Sequence, residues 1–291
     1  MMIMKKTHRR RFLKNACLGI GASLGSAFSL SPLSPPAPSG AGVKKENVRF
    51  QLGLASYTFR AFRLDQALAM TRRLGLTTIA LKSVHLPLDS PAEQIRAIAA
   101  EVAGSGLNLY AGGVIYMTSE AEVRRAFEYA KTAGMKIIVG VPDHELLPTV
   151  DRCVREFDVF MAIHNHGPTD KLYPTPESIL DEIRGFDRRM GVCLDVGHAQ
   201  RSGIDPSLSA IRCRDRLIDV HIKDVTAAGA EGRPVEIGRG VIDIPRFLRT
   251  LVELSFSGTV SLEYEKDEDD PLPGASESLG FIRGVLAGFA D

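Results

Sequence analysis

Four residues that could bind a metal ion each end a short, mostly apolar run of the kind that forms buried β-strands. His164 ends the segment FMAIH, Asp195 ends GVCLD, His221 ends LIDVH and Glu263 ends TVSLE. The steps between the four are 31, 26 and 42 residues. Each step is close to one strand-plus-helix unit, or to one unit with an inserted loop, so the four side chains can meet where neighbouring parallel strands end.

Two imidazoles and two carboxylates make a mixed set of nitrogen and oxygen ligands. Such a set suits Mn, Co, Zn or Fe better than Mg or Ca, which prefer ligands that are all oxygen. For any one of the four residues alone, a hydrogen-bonded strand end would be the simpler interpretation. Their repetition at four matching strand ends predicts one divalent metal ion, with Mn, Co or Zn favoured and Mg or Fe as alternatives.

The elements that must position these ligands alternate along the chain from about Val48. Runs typical of strands are followed by stretches with apolar residues three and four apart, as in 64–70, and glycines such as Gly134 stand where a helix should end. The predicted strands are 51–57, 77–83, 107–114, 136–141, 158–164, 190–196, 216–221 and 259–264. Eight parallel strand-plus-helix units predict an α/β fold, a single (β/α)8 TIM barrel.

The length of the chain agrees with this fold. About 249 residues follow residue 42, roughly 31 for each of eight units, and TIM barrels typically have about 250 residues. A doubly wound open sheet is the rival architecture, but it needs a switch point, and no glycine-rich phosphate loop follows the first predicted strand. We therefore assign 43–291 to the barrel.

The first 42 residues have the order of a twin-arginine export signal. Arg9-Arg10-Arg11-Phe12-Leu13-Lys14 precedes a weakly apolar stretch at 16–30 and a small, proline-rich region at 31–42. We expect residues 1–42 to be a signal peptide and linker that the twin-arginine export machinery recognises, and the mature protein to be periplasmic or in the cell envelope. No run is long and apolar enough to predict a membrane span in the mature form.

Charge and cysteine content exclude some functions. Six of the 36 Lys and Arg residues, and none of the 35 Asp and Glu residues, lie in 1–42, which leaves 30 basic against 35 acidic residues and a net charge of −5. An acidic surface disfavours nucleic acid as a partner. The three cysteines beyond the signal, Cys153, Cys193 and Cys213, lack paired metal-type spacing and are expected to be packed thiols.

Three motifs beyond residue 190 and one before it carry a resemblance to a known family. LDVGH at 194–198, VHIKD at 220–224 and SLEYE at 261–265, preceded by HNHG at 164–167, resemble the sugar phosphate isomerase/epimerase group of the xylose-isomerase-like TIM barrel superfamily. The resemblance extends from Gln51 to the end of the chain. It implies a divalent metal bound by Asp195, His221 and Glu263 together with a residue at the end of the fifth strand.

The fifth-strand position departs from the family pattern. Where relatives often have Glu-Asn-His, this chain has His164-Asn165-His166, so the resemblance implies His164 as the ligand with His166 beside it. Relatives that epimerise ketoses use two metal-bound glutamates, one on each face of the substrate, and here one of the pair is missing. The departure disfavours a two-glutamate epimerase and makes isomerisation, or elimination from an oxidised sugar, comparatively more favourable.

The resemblance predicts an enzyme that removes a proton next to a carbonyl of a sugar or sugar derivative, as a metal-dependent isomerase or epimerase. Glu263 is the candidate base, and His198 and Lys82 are further catalytic candidates at strand ends. The expected partner is a small sugar, and export favours a free sugar, a 3-keto-glycoside or a cyclitol over a sugar phosphate. The residues predicted to bind substrate are His85, His166, Lys171, Tyr173, Arg201 and Lys223.

Three weaker features complete the predicted site. Tyr57 and Phe59 are expected to supply an apolar wall for a sugar ring. The segment Gly238-Arg239-Gly240 offers backbone amides and a guanidinium to a phosphate or carboxylate, although turn formation is its commoner role. The acidic run that follows Glu263, up to residue 270, is expected to be a solvated loop.

The same residues leave three alternative functions open. A keto-glycoside lyase of the same fold would use the same ligands and the same first proton transfer. A non-catalytic sugar-binding barrel would bind a sugar without turnover, and it would not need to carry stoichiometric metal. A metal-dependent phosphodiesterase of the endonuclease-four type needs more His and carboxylate ligands than this chain offers, and its DNA substrate conflicts with the acidic surface.

Overall fold

The computed structural model describes residues 48–289. The predicted export signal at 1–42 lies outside the described residues. Residues 48–289 form eight parallel strands, the first of which starts at Gln51. They are β1 Gln51–Ala55, β2 Thr78–Leu81, β3 Asn108–Met117, β4 Ile137–Pro142, β5 Phe160–His164, β6 Met190–Asp195, β7 Leu217–Ile222 and β8 Thr259–Leu262.

The strands close into a barrel in which each pairs with its neighbours in sequence, and β8 pairs with β1. This confirms the (β/α)8 barrel that the alternation of strand and helix patterns predicts. The register places Asp195 of β6 opposite His221 of β7, and His164 of β5 opposite Cys193 of β6. Residues at the carboxyl ends of consecutive strands are thereby brought side by side at one mouth of the barrel.

Helices surround the barrel and connect successive strands. They are α1 Leu64–Arg73, α2 Ala92–Gly104, α3 Glu120–Ala133, α4 Leu147–Phe157, α5 Pro176–Glu182, α6 Val196–Arg201, α7 Pro206–Cys213, α8 Ile244–Glu253 and α9 Leu272–Ala287. Short 3-10 turns occur at Ser56–Phe59 and His144–Leu146. Between β7 and β8, Asp224–Val225 and Pro234–Val235 form a small antiparallel pair.

Helix α8 shows how the sequence buries one face against the barrel. Ile244, Phe247, Leu248 and Leu251 are fully buried, and their spacing of three and four residues places them on one side of the helix. Burial of each such side chain contributes about 1.5–3 kcal/mol. Asp243 caps the start of the helix, because its carboxylate accepts a hydrogen bond from the backbone N–H of residue 246.

Helix α3 has sequence signals at both ends. The side chain of Ser119 accepts a hydrogen bond from the N–H of Glu122 at the start. The helix ends at Gly134, whose φ of 74° is left-handed and is therefore easily adopted by glycine. These two caps mark the start and the end of α3, after which the chain enters β4.

Two composition-based expectations concern the whole barrel. Cys153, Cys193 and Cys213 are free and buried, as packed thiols are. Within residues 48–289, no helix combines the length and the apolar character that crossing a bilayer requires.

Candidate metal centre

The four predicted ligands meet at the carboxyl-terminal mouth of the barrel. One ligand atom from each of His164, Asp195, His221 and Glu263 lies within 4.8 Å of every other. Nε2 of His164 is 3.2 Å from Nδ1 of His221 and 3.4 Å from Oδ2 of Asp195, and Nδ1 of His221 is 3.3 Å from Oε2 of Glu263. All four side chains are buried. They form a cluster that could hold a metal ion.

The chemistry of the cluster fits a divalent ion. Buried polar atoms normally have hydrogen-bond partners, yet Nδ1 of His164, Oδ2 of Asp195, Nε2 of His221 and Oε1 of Glu263 have none. The atoms that face one another across the cluster are Nε2 of His164, Nδ1 of His221, Oδ2 of Asp195 and Oε2 of Glu263, 3.2–3.4 Å apart along the chain of contacts. Two imidazole nitrogens and two carboxylate oxygens at this spacing are a donor set that suits a first-row metal.

Local hydrogen bonds set the direction of the Asp195 carboxylate. The side chain of Asn165, which follows β5, accepts from the N–H of Asp195 at 2.9 Å and donates to its C=O at 3.1 Å. Oδ1 of Asp195 accepts from the N–H of His198 at 2.8 Å and so caps α6. Because Oδ1 is used by the helix, Oδ2 is left to face the histidines.

Two ammonium groups face the carboxylates. Nζ of Lys223 lies 2.9 Å from Oδ2 of Asp195 and 2.7 Å from Oε2 of Glu263, and it also contacts Glu265. Nζ of Lys82 lies 2.8 Å from Oε1 of Glu263, a charge contact without the alignment of a hydrogen bond. Both oxygens of Glu263 therefore have a lysine beside them.

These contacts determine the ionisation of the buried charges. Burial by itself raises the pKa of Asp195 and Glu263, but the lysine ammonium groups outweigh it, with help from nearby imidazoles, and bring both pKa values well below their ordinary range. Burial lowers the pKa of Lys223, but Asp195, Glu263 and Glu265 raise it well above its ordinary value. Both carboxylates and the lysine are therefore charged at neutral pH.

Three histidines of the site, His164, His166 and His198, are neutral at the same pH. Burial lowers the pKa of His164 well below its ordinary value, lowers that of His198, and lowers that of His166 to about 4. Their rings pack together, with centroids of His164 and His166 4.4 Å apart and those of His166 and His198 5.6 Å apart. A neutral imidazole has a free lone pair, which metal coordination and proton acceptance both need.

A cavity of about 350 Å³ opens above the cluster. Its polar lining includes Lys82, His164, His166, His198 and Glu263, all five predicted as catalytic, ligand or substrate-binding residues. Residues 57, 84, 114 and 116 add apolar surface to the lining. Asp195, His221 and Lys223 lie buried beside this lining. Eight of the predicted site residues thus lie at the mouth.

His85 and Tyr173 do not reach the cavity. The ring of His85 is buried between the hydroxyl of Ser56, 2.9 Å from Nδ1, and the C=O of Phe62, 3.1 Å from Nε2. Tyr173 is fully buried, and its hydroxyl donates to the C=O of Pro142 at 2.8 Å. Both polar groups are used within the protein, so the structure gives these residues packing roles in place of the predicted contact with substrate.

Lys171, Arg201 and Phe59 also lie apart from the cavity. Lys171 is exposed on the loop after β5. Arg201 ends α6 and donates to the C=O of Ala230 at 3.1 Å, which ties the helix to the loop between β7 and α8. Phe59 is fully buried against Phe62, so the predicted aromatic wall consists of Tyr57 without Phe59.

Tyr116 and Glu265 line the cavity although they were not predicted to. The hydroxyl of Tyr116 is 3.1 Å from Nε2 of His166, and the two rings lie 5.5 Å apart. Glu265 pairs with Lys223, so the prediction that the whole acidic run after Glu263 is a solvated loop is wrong at this residue. The alternation in SLEYE, which places Glu263 and Glu265 on one side, is the signal that could have identified it.

The segment Gly238-Arg239-Gly240 does not offer its groups to an anion. The carboxylate of Asp224 accepts from the N–H groups of Gly238 and Gly240, both at 3.0 Å. A Cβ at Gly240 would lie 2.1 Å from Asp224, so only glycine fits there. The guanidinium of Arg239 forms a two-point contact with Glu277. The suggested phosphate or carboxylate site is a turn built around Asp224.

The fold and the strand-end residues define the family. Residues 58–285 match the family model described as xylose isomerase-like TIM barrel. This match covers most of the chain, and the chain belongs to that family.

Among individual relatives, the rhizopine catabolism protein MocC of Rhizobium meliloti is 29% identical over 140 residues. The match covers 43% of this chain and 42% of MocC, so the chain matches less than half the length of this curated relative.

Solved structures share the fold. An L-ribulose 3-epimerase has a TM-score of 0.67 at 18% identity over 82% of this chain and 95% of its own. The 3-keto-D-glucoside 4-epimerase of E. coli has a TM-score of 0.67 at 15% identity, over 81% of this chain and 99% of its own. At these identities the likeness shows the barrel architecture and leaves the reaction to be argued from the site.

Proposed function

We propose that this protein is a divalent-metal-dependent enzyme that removes a proton from the carbon beside a carbonyl group of a sugar or sugar derivative, and that it acts as an isomerase or epimerase. The observation that supports it most is the buried cluster of His164, Asp195, His221 and Glu263, which lies under an open cavity and offers two nitrogen and two oxygen donors within 4.8 Å of one another. An ion bound there would polarise the carbonyl and the neighbouring hydroxyl and so acidify the carbon-bound proton.

The chain's own groups would handle the proton. Glu263 is ionised, lies at the cavity and is held by two lysines, so it is the carboxylate positioned to accept the proton. The ammonium of Lys82, 2.8 Å from that carboxylate, can stabilise negative charge that develops on a substrate oxygen. His198 and His166, which are neutral and line the same cavity, can pass a proton between neighbouring oxygens.

The ligand at the end of β5 bears on the type of reaction. His164 supplies an imidazole nitrogen to the cluster, so Glu263 is the one glutamate among its four members. A single carboxylate base on one face of the substrate supports isomerisation, in which one proton moves between adjacent carbons on that face. Inversion at one carbon requires a proton donor on the opposite face, and His166 is the group on the β5 side that could serve.

The charges around the cavity support an uncharged substrate. Among residues 48–289, Lys82 is the single Lys or Arg residue in the cavity lining, and its ammonium is already paired with Glu263. Glu265 adds a second acidic group to the lining. Phosphate recognition depends on cationic or multiple N–H donors, so this lining favours a neutral sugar over a sugar phosphate. The likeness to a rhizopine catabolism protein supports a role in small-molecule catabolism.

Elimination from a keto-glycoside is a second candidate that one observation favours. Tyr57, Val84 and Tyr116 are 40%, 52% and 56% exposed, and all three line the cavity. Exposed apolar side chains that line a polar cavity are typical of a ligand surface. A second ring or an aglycone attached to the sugar could pack on them, and its departure after proton removal would make the reaction a lyase reaction.

Hydrogen exchange at carbon tests the shared first step. The protein loaded with Mn²⁺ would be incubated in deuterated water with free sugars, keto-sugars and keto-glycosides, and the products analysed by NMR. We expect deuterium at the carbon beside the carbonyl of at least one substrate, and release of the aglycone in addition if the reaction is elimination. Binding of these compounds without exchange in any of them, with metal bound, would instead support a non-catalytic sugar-binding barrel.

A further inference from the structure

One layer below the ligand cluster, the barrel interior contains a buried carboxylate. TIM-barrel interiors are usually filled with branched apolar side chains. Here Asp219 of β7 lies two residues before His221, so both side chains point into the barrel, and Asp219 has no solvent exposure. Burial of an ionisable group is costly unless other groups compensate it, which indicates a specific role.

Residues from three other strands fix the Asp219 carboxylate in position. The hydroxyl of Tyr110, on β3 across the barrel, lies 3.2 Å from each carboxylate oxygen. Oγ of Ser261 lies 2.7 Å from the same hydroxyl, and since that hydroxyl donates its one proton to Asp219, the serine donates to it. The thiol of Cys193 donates to Oδ2 at 3.6 Å. The carboxylate therefore accepts hydrogen bonds from the side chains of Tyr110 and Cys193.

The ring of His221 lies between Asp219 and the cluster. Its Nδ1 is 3.2 Å from Nε2 of His164 and 3.3 Å from Oε2 of Glu263. Its Nε2 points the other way, is buried without a hydrogen bond, and lies 3.8 Å from Oδ2 of Asp219. A neutral imidazole has one N–H and one lone pair, so the location of the proton decides which nitrogen can bind a metal.

We propose that Asp219 is a positioning residue that holds the proton of His221 on Nε2 and so directs the Nδ1 lone pair into the ligand cluster. The proposal rests on the proposed metal-dependent function in one respect, that the cluster binds an ion. Acceptors behind ligating histidines fix the ring and its tautomer, and their loss typically weakens metal binding by about 10–100-fold. Asp219 is the buried anion on the Nε2 side of His221.

The tautomer of His221 can be measured directly. The metal-free protein, labelled with ¹⁵N-histidine, would be examined by two-bond proton–nitrogen correlation NMR, with His221 assigned by loss of its signals in His221→Gln. We expect Nε2 to carry the proton in the wild-type protein. In Asp219→Asn, the amide can donate to Nε2, and we expect the proton to move to Nδ1. A wild-type spectrum with the proton on Nδ1 would overturn the proposal, whether or not any variant folds.

Metal affinity provides the second measurement. Titration with Mn²⁺, followed by the electron paramagnetic resonance of the free ion, should give a Kd about 10–100-fold higher for Asp219→Asn than for the wild type. Glu236→Gln is the matched control, because it makes a carboxylate-to-amide change at a buried residue that pairs with Lys266 and not with the cluster, and its His221 tautomer and Kd should resemble those of the wild type. An unchanged tautomer and Kd in folded Asp219→Asn would contradict the inference. A wild-type protein that binds no Mn²⁺ would refute the proposed function, while the tautomer would still decide the role of Asp219.

Discussion

Nε2 of His164 lies 3.2 Å from Nδ1 of His221, although the two residues belong to strands that are separated by β6. Both rings are buried, and carboxylate oxygens of Asp195 and Glu263 lie 3.4 and 3.3 Å from these two nitrogens. The ammonium of Lys223 offsets part of the negative charge of these two oxygens, and a divalent ion among the four atoms would offset the rest and the repulsion between the nitrogen lone pairs. This relationship leads to the first prediction.

Loss of Asp195 or His221, two of the four proposed ligands, should abolish metal binding. We expect Asp195→Ala and His221→Ala to contain little divalent metal, because each removes one of four ligands from a preformed cluster. The measurement is metal content by mass spectrometry after purification and dialysis against Mn²⁺. His144→Ala is the matched control, since this half-exposed histidine bonds to the C=O of Leu172 outside the cavity and should leave metal content unchanged. Equal metal content in all four proteins would exclude the cluster as the binding site.

Glu263→Gln should separate metal binding from proton transfer. Glutamine keeps the shape of the side chain but has no basic oxygen, so we expect turnover to fall by at least about a hundredfold, the low end of what a general base contributes. The variant would be assayed with saturating Mn²⁺ and its metal content measured in parallel. Deuterium exchange at the substrate carbon should disappear as well. Wild-type exchange in a fully metallated variant would assign the base to another group, first His166 or Lys82.

The barrel and the meeting of four strand-end residues that could hold a metal ion could be predicted because they depend on local patterns. Each of the eight predicted strands overlaps an observed one, and His164, Asp195, His221 and Glu263 follow from where apolar runs end. In a parallel barrel the ends of neighbouring strands are adjacent by construction, so no knowledge of loop conformation is needed.

The other site residues depend on backbone details that the pattern does not contain. Strand β3 was predicted to end at residue 114, but a shift of register between Gly112 and Ile115 lets it continue to Met117, which carries Tyr116 to the cavity. The position of Tyr173 after the HNHG motif predicts a residue at the rim of the cavity. In the structure the loop after β5 buries Tyr173, and its hydroxyl donates to the C=O of Pro142. Bulges and loop folding are set by tertiary contacts, which explains both errors.

Export is the prediction that concerns residues outside the described part of the chain. We propose that residues 1–42 direct the folded protein through the twin-arginine machinery, because basic, weakly apolar and small-residue zones follow one another there. Replacement of Arg9 and Arg10 by lysine should keep the precursor in the cytoplasm, as fractionation and immunoblotting would show. Lys5→Arg with Lys6→Arg is the control, because it changes basic residues outside the arginine pair. Normal processing of the Arg9→Lys, Arg10→Lys precursor would rule out this route.

Glu236 should contribute stability that depends on pH. A hydrogen bond from Lys266, at 2.6 Å, lowers the pKa of this buried carboxylate to about 2 in the folded protein. A group with a lowered pKa stabilises the fold above its unfolded pKa and loses that contribution as the pH falls towards the folded value. The free energy of unfolding of Glu236→Gln should therefore lie below that of the wild type at pH 7, with a smaller gap at pH 3. A gap that is constant across this range would contradict the ionic contribution.

The last prediction concerns Lys223, whose ammonium lies 2.9 Å from Asp195 and 2.7 Å from Glu263. In Lys223→Met, which keeps most of the side-chain volume, these buried carboxylates lose a counter-ion, and removal of one partner from a buried ion pair costs about 3–5 kcal/mol. We therefore expect the metal-free variant to unfold at a clearly lower temperature than the metal-free wild type.

A divalent ion bound by the same two carboxylates would replace the missing positive charge. Saturating Mn²⁺ should accordingly raise the Tm of Lys223→Met by more than it raises that of the wild type, because ligand binding stabilises the folded state and the variant has more repulsion to relieve. Calorimetry with and without the ion measures both shifts, and Lys131→Met, at the exposed end of α3, controls for the loss of a lysine. Equal shifts in Lys223→Met and the wild type would show that Lys223 and the ion do not act on the same carboxylates.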